Sequence, residues 1–473
     1  MAGPPPAAIL EMAHRMMRSG RPSDAANTVS ALTSMPGASL EALVLHVQAL
    51  VAAGRREEAL IASRKAAAAG APHAELGSAQ IAADLGRFEE AQAGFRKVLA
   101  ANADDERARR GLARALFAGP AGIEGALAVA EEGLSRRWTP TLVLFKAGLL
   151  NQAWRHDEAL ALAREGLARE PASPQMHGLA ATCAALAGRA EEALAHAEAA
   201  LRLAPAEDAL AILLAETRLG VGDAAGALQL LEPLRAKAPF DQKLIALTAT
   251  ALRLKGDDRC RALHDYDRFV RAYALAPPEG WTTLTAFLAD LRAGLNAIHD
   301  GQGQTLGQSV RDGTQTNVNL VASQDPLIRA LFSVLEAPLS DYVSRLPRGG
   351  DPLAAPLAAR NRGGFAFGGA WTVRLEPGGG RHVTHIHPEG WLSSAFYVDL
   401  PSVMNDAAHE EGWLQFGEPG VPTRPSLPPE HKVRPEPGRL VLFPSYMWHG
   451  TRPFGGTERR LTFAFDVVPA DPR

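Results

Sequence analysis

Arg381–Pro401 reads RHVTHIHPEGWLSSAFYVDLP, Gly438–Thr451 reads GRLVLFPSYMWHGT, and Arg460–Asp466 reads RLTFAFD. In an extended chain, side chains two residues apart share a face, so His385 and His387 point the same way. One strand can therefore offer two imidazoles to a single ion, and His449 can close the site from a second strand. Arg460 follows eleven residues after His449, early in a third strand. Alternation places Arg460, Thr462 and Ala464 on one face, with Leu461, Phe463 and Phe465 on the other. An arginine turned into a β-core needs an anion, because an unpaired buried charge is costly. Arg459 then points outward.

Around these segments the chain is punctuated by Gly and Pro into short strands: GAWTVRLEP, HVTHIHP, LSSAFYVDLP, GWLQFGEP, GRLVLFPS and RRLTFAFDVVP. Trp371, Trp391, Trp413 and Trp448 all fall here, as large residues of a β-core should. The spacing suggests a sandwich or a jelly-roll barrel able to hold a small ligand in its mouth. Upstream, TLTAFLADLRAGLNAIH and DPLIRALFSVLEAPLSDYVSRL read as amphipathic helices, and YDRFVRAYALAPPEGW reads as a last helix and a loop.

The first half has a different rhythm. Turns of the type Gly-x-x-(Asp/Glu)-(Asp/Glu)-Ala recur with alanines at Ala25, Ala59, Ala91, Ala126, Ala159, Ala193 and Ala227, separated by 34, 32, 35, 33, 34 and 34 residues. Pro171, Pro205 and Pro239 keep the 34-residue step. Each unit reads as two amphipathic helices, with Gly54, Gly86, Gly188 and Gly222 where the first must stop. One hairpin cannot bury its apolar face, but a stack of about seven can. Charges such as Arg55, Arg56, Glu57 and Glu58 read as solvated helix faces.

A chain of 473 residues with 47% hydrophobic residues calls for two or more globular domains. The net charge of −3 gives no electrostatic case for nucleic acid. Cys183 and Cys260 cannot form a disulfide framework or a cysteine-rich metal site. The opening MAGPPPAAILEMAHRMMRSG lacks a basic-then-apolar leader pattern, and no apolar run is long enough to span a bilayer, so a cytoplasmic protein is expected.

The 34-residue units resemble the tetratricopeptide repeat. The second half, from about Asp300 to Pro469, resembles the iron(II)- and 2-oxoglutarate-dependent oxygenases of a bacterial group found behind such repeats. The resemblance is carried by DGTQTN (Asp312–Asn317), His385–Val398, Gly438–Thr451 and Arg460–Asp466. It implies a multidomain chain: an all-α tetratricopeptide-repeat superhelix over residues 1–265, a helical connection over 266–350, and a double-stranded β-helix core over 351–473, the last two forming an α+β domain. It also implies Fe(II) and 2-oxoglutarate as cofactors. The family's first ligand pair is His-x-Asp/Glu, whereas this chain has His385-Ile386-His387. Either the metal ligands are His385, His387 and His449, or the pair shifts to His387 and Glu389, which restores a carboxylate. The first is preferred, because register to the next strand leaves Glu389 in the loop. A guanidinium fork suits the distal carboxylate of 2-oxoglutarate, so Arg460 with Thr462 would anchor the cosubstrate, as in the family's Arg-x-Ser/Thr pattern. Tyr397 is placed to reach it, and Gln315 and Thr316 either line the site or shape a turn. His382 has the wrong parity to ligate with His385.

The implied function is a dioxygenase that hydroxylates a protein or peptide side chain presented by the repeat groove. Two other readings remain open from the sequence: a repeat scaffold with an inactive oxygenase domain, and a small-metabolite oxygenase that uses its repeats for assembly.

Overall fold

A computed structural model describes residues 5–299, 307–316, 319–346, 364–406 and 408–470. The chain divides into two compact units, Met1–Phe145 and Lys146–Arg473. The first unit holds four helix hairpins: Pro6–Arg18 with Pro22–Ser34, Leu40–Ala52 with Arg56–Ala68, Ala74–Asp84 with Phe88–Ala101, and Glu106–Ala118 with Gly122–Arg136. Helix Pro140–Gln152 runs across the division and is followed by His156–Arg169. Pro174–Leu186 with Ala190–Leu203, and Asp208–Gly220 with Ala224–Lys237, complete the series before helix Gln242–Lys255.

The repeat signature has a direct packing meaning. Ala25, Ala59, Ala91, Ala126, Ala159, Ala193 and Ala227 all lie in the second helix of their hairpins and are at most 1% exposed. A methyl group is what the close approach of two helices admits there, and a larger side chain would force them apart. The turns are set by left-handed glycines: Gly20, Gly54, Gly86, Gly188 and Gly222 have φ between 71° and 85°.

Helix Gln242–Lys255 is buried at Gln242 and at every position from Leu244 to Leu252, as expected of a helix covered on all sides. Its residues share one core with the β-strands that follow. Polar bonds fasten it there. Trp448 Nε1 donates to Thr250 Oγ1 at 3.0 Å. The Arg253 guanidinium donates to the Gly417 and Pro428 carbonyls at 2.7 and 2.8 Å and pairs with Glu430 at 2.9 Å. The repeat pattern stops near residue 265, but packing runs across that point. The limit at 350/351 falls outside the described residues.

Among the described residues, eleven strands follow: β1 (Arg271–Ala274), β2 (Val310–Arg311), β3 (Gly313–Gln315), β4 (Phe365–Leu375), β5 (Arg381–His382), β6 (Leu392–Asp399), β7 (Leu414–Phe416), β8 (His431–Val433), β9 (Arg439–Pro444), β10 (His449–Thr451) and β11 (Arg460–Pro469). An antiparallel sheet runs in the order β1-β9-β6-β11-β4-β3, with smaller sheets β10-β7-β8 and β2-β5. This is an α+β domain built on a double-stranded β-helix. Helices Leu284–His299 and Pro326–Ser344 form where the apolar periodicity predicts them. They pack Phe287, Leu291, Leu331 and Leu335 into the core that holds Phe396, Leu440 and Phe463.

A strand stands where the sequence reading has a last helix and a loop. Arg271–Ala274 is an edge strand, not part of a last helix; it pairs antiparallel with β9, Arg271 opposite Leu442 and Ala274 opposite Arg439. Its alternating half-buried and exposed positions fit an edge, and Pro277 and Pro278 deny the segment a helical continuation. No helix among the described residues is long and apolar enough to cross a membrane.

Candidate metal centre

The segment from Val383 to Pro388, read from the sequence as a strand, is not a regular one: it bends at Thr384 and enters a turn at Pro388. It is pinned at two points. His385 and His449 form an antiparallel bridge, exchanging backbone N–H···O bonds of 2.9 and 3.0 Å. The His387 amide donates to the Ser445 carbonyl at 3.0 Å. The i, i+2 relation survives, and the bridge brings His449 directly opposite His385.

The three side chains converge, with one ring nitrogen of each within 4.8 Å of the others. Their other ring nitrogens are already committed. His385 Nδ1–H donates to the Val383 carbonyl at 2.9 Å, and His449 Nδ1–H to the Met447 carbonyl at 2.8 Å. His387 Nδ1–H donates to Asp466 Oδ1 at 2.6 Å. A carbonyl or carboxylate can only accept, so these bonds fix the proton on Nδ1 and leave Nε2 as a lone pair. His385 Nε2 and His387 Nε2 then face each other at 3.1 Å with no proton between them. Two facing lone pairs repel, and a cation bound by both relieves this. Burial, then the neighbouring His387, pushes His385 down to about 3. Burial, then His385 and His387, holds His449 well below its ordinary value. Both imidazoles are thus neutral at pH 7, the form that ligates metal.

Asp466 is the residue that motif reading missed. It accepts from Ser393 Oγ at 2.7 Å as well as from His387, which fixes its orientation. The signal was present in the alternation of β11, where it continues the face of Arg460, Thr462 and Ala464. The register of β11 against β4 shifts between Asp466 and Val467, a bulge of the kind that re-aims a side chain beside a site. His382 also lies here, its ring stacked on that of His385 at 5.6 Å and its Nδ1 bonded to Ser309 Oγ at 2.9 Å.

The histidines open into a cavity of about 730 Å³, also lined by Trp371, Phe443, Arg460, Thr462 and Ala464. Arg460 is 2% exposed and has no carboxylate partner among the described residues. Its Nε is buried without a hydrogen-bond partner, as is the hydroxyl of Tyr397. The guanidinium lies 5.3 Å from the Tyr397 ring centroid. Burial lowers its pKa, but an arginine keeps its charge. A buried cation beside two unsatisfied polar atoms fits a carboxylate ligand. Arg459, by contrast, is exposed and pairs with Glu376 at 2.9 Å.

The remaining candidates separate. Gln315 lines the cavity and donates to Gln308 Oε1 at 3.3 Å. Thr316 does not line it: its hydroxyl accepts from the Thr372 amide at 3.1 Å, and its amide donates back to the Thr372 carbonyl at 3.0 Å. It extends the sheet beside β4, which accounts for its burial. Glu389 is exposed at the cavity margin and is not part of the converging histidine group.

Residues 369–466 match the family model described as "Putative 2OG-Fe(II) oxygenase", a span that includes the three histidines, Arg460 and Asp466. Among solved structures, the chain is similar to a tetratricopeptide repeat protein from Parabacteroides merdae, at 15% identity over 52% of this chain and 98% of that one, with a TM-score of 0.38. It is similar to a thermophilic tetratricopeptide repeat protein of Thermus thermophilus, at 23% identity over 36% of this chain and 92% of that one (TM-score 0.30). It is also similar to a Pseudomonas putida prolyl-4-hydroxylase, at 16% identity over 45% of this chain and 100% of that one (TM-score 0.29). No curated protein matches it.

Proposed function

From a chain of helix-hairpin repeats carrying a 2-oxoglutarate–Fe(II) oxygenase family domain, we propose an Fe(II)- and 2-oxoglutarate-dependent dioxygenase that hydroxylates a side chain of a protein or peptide. The observation that carries this reading is the pairing, in one cavity, of three converging imidazoles protonated on Nδ1 and a buried arginine without a counterion among the described residues.

In this reading His385, His387 and His449 hold the iron, and Glu389 stays outside its coordination. Arg460, Thr462 and Tyr397 take the distal carboxylate of the cosubstrate. When bound, iron and 2-oxoglutarate use dioxygen to hydroxylate an unactivated C–H bond, releasing succinate and carbon dioxide. The chain's own part is positioning and exclusion. The Val383 and Met447 carbonyls and Asp466 lock the three rings. Three neutral ligands leave the metal more positive than a two-His, one-carboxylate set does. Asp466 returns part of that charge through His387. Trp371, Val373, Leu414 and Phe443 wall the cavity with apolar surface, which keeps water from the reacting centre.

The test is conversion of 2-oxoglutarate to succinate by purified protein with Fe(II), ascorbate and oxygen. Slow, substrate-independent turnover is expected. A protein that binds metal and 2-oxoglutarate yet forms no succinate would instead be a binding scaffold.

A further inference from the structure

We propose that the mouth of this cavity is a binding site for an acidic polypeptide segment, with Arg311 holding a carboxylate side chain and Trp154 packing against the residues beside it. This rests on the oxygenase reading and names its substrate class.

Arg311 stands apart from the cosubstrate arginine: it lies in β2, in the small β2-β5 sheet, whereas Arg460 belongs to the large sheet. It lines the cavity together with Gln152, Gln308 and Gln315. One of its terminal nitrogens donates to the Gln308 and Val310 carbonyls at 2.7 and 2.9 Å. Its Nε is buried with no partner, and no carboxylate among the described residues pairs with it. The residue opposite Arg311 in the β2–β5 ladder is Arg381. Like charges directly opposite each other are unfavourable, and an anion between or beside them removes the penalty. Asp312 relieves this only in part: its 63% exposed carboxylate makes a long, 4.0 Å ion pair with Arg381 and none with Arg311. Of the acids that line the cavity, Asp466 is committed to His387, and Glu389 is exposed.

Trp154 supplies the second, independent observation. It occupies the turn position where five other repeats carry Gly20, Gly54, Gly86, Gly188 and Gly222, and it adopts φ 60°. An L side chain is strained there, and the local contact the ring makes is an edge-on packing against His156 at 5.6 Å. The ring is 58% exposed and lies 5.9 Å from the Arg311 guanidinium. An exposed aromatic beside an unpaired arginine is the composition of a recognition hot spot. Trp154 does not line the cavity, while Gln152 on the same hairpin does. A ligand touching both Arg311 and Trp154 therefore extends from the cavity onto the repeat surface, which a chain can do and a small acid cannot.

The test uses the full-length protein and three fluorescein-labelled dodecapeptide pools, with central Asp, Asn or Lys and degenerate flanks, read by fluorescence anisotropy. The Asp pool is expected to bind at least tenfold more tightly than the other two. Arg311→Gln should abolish that preference while 2-oxoglutarate affinity stays within twofold. Trp154→Gly should weaken the Asp pool about tenfold without lowering Tm, because glycine is the residue the turn accepts. Equal binding of the three pools overturns the proposal. So does loss of 2-oxoglutarate rather than peptide binding in Arg311→Gln, a Tm drop in Trp154→Gly, or competition by N-acetylaspartate as strong as that of the Asp pool. Anisotropy needs no turnover. Failure of the oxygenase reading would show as absent succinate with the Asp preference intact.

Discussion

Arg460→Ala is expected to weaken 2-oxoglutarate binding by a hundredfold or more, while Arg459→Ala changes it by less than twofold. The two residues are adjacent in sequence and opposite in environment. Arg460 is 2% exposed, faces the cavity and has no counterion among the described residues. Removing one member of a buried, hydrogen-bonded charge pair costs about 2–5 kcal/mol, which is about 30- to several-thousandfold in affinity. Arg459 has a 55% exposed side chain on Glu376, and such surface pairs contribute about 0–1 kcal/mol. Calorimetric titration of 2-oxoglutarate into the Mn(II)-loaded protein reads both. The ligand-free Arg460→Ala protein should be no less thermally stable than the parent, because the substitution removes a buried charge that has no counterion until ligand arrives. Equal effects at the two positions would mean that Arg460 does not contact the cosubstrate.

The second large effect concerns the metal, and a graded series tests it. The parent chain is expected to bind one equivalent of Fe(II) or Mn(II). Asp466→Asn should weaken binding by about 10–100-fold, the usual cost of losing a group that orients a ligand histidine. His449→Ala should lose more than that, since it deletes a ligand outright and leaves His385 and His387 without the residue that closes the site. Glu389→Ala should match the parent within twofold. The grading separates ligation from general damage to the fold, because His449 would hold the metal itself, whereas the half-buried Asp466 would act on it only through His387.

Much of this architecture was legible in the sequence, for identifiable reasons. Ala25 through Ala227 announced the repeats because each must be small to let two helices meet. Gly54, Gly86, Gly188 and Gly222 announced the turns because the backbone there is left-handed. The alternation of RLTFAFD placed Arg460, Thr462 and Ala464 together, and all three line the cavity. What escaped depends on contacts between distant residues. Strand β1 was hidden because Arg271–Ala274 is locally ambiguous and is decided by its pairing with β9. The role of helix Gln242–Lys255 as shared core depends on Thr250 meeting Trp448. Asp466 sits on the face that was read correctly, yet its bond to His387 arises only when β11 lies against the histidine segment. Trp154 broke a local rule of the repeat, and its neighbour Arg311 is brought to it by the fold alone.

The most direct test of the central claim is a crystal structure of the protein with Mn(II) and 2-oxoglutarate grown without oxygen. One metal ion is expected on the Nε2 atoms of His385, His387 and His449, with the cosubstrate's distal carboxylate on Arg460 and Glu389 uncoordinated. A metal held by His387 and Glu389, or a cosubstrate seated away from Arg460, would contradict it.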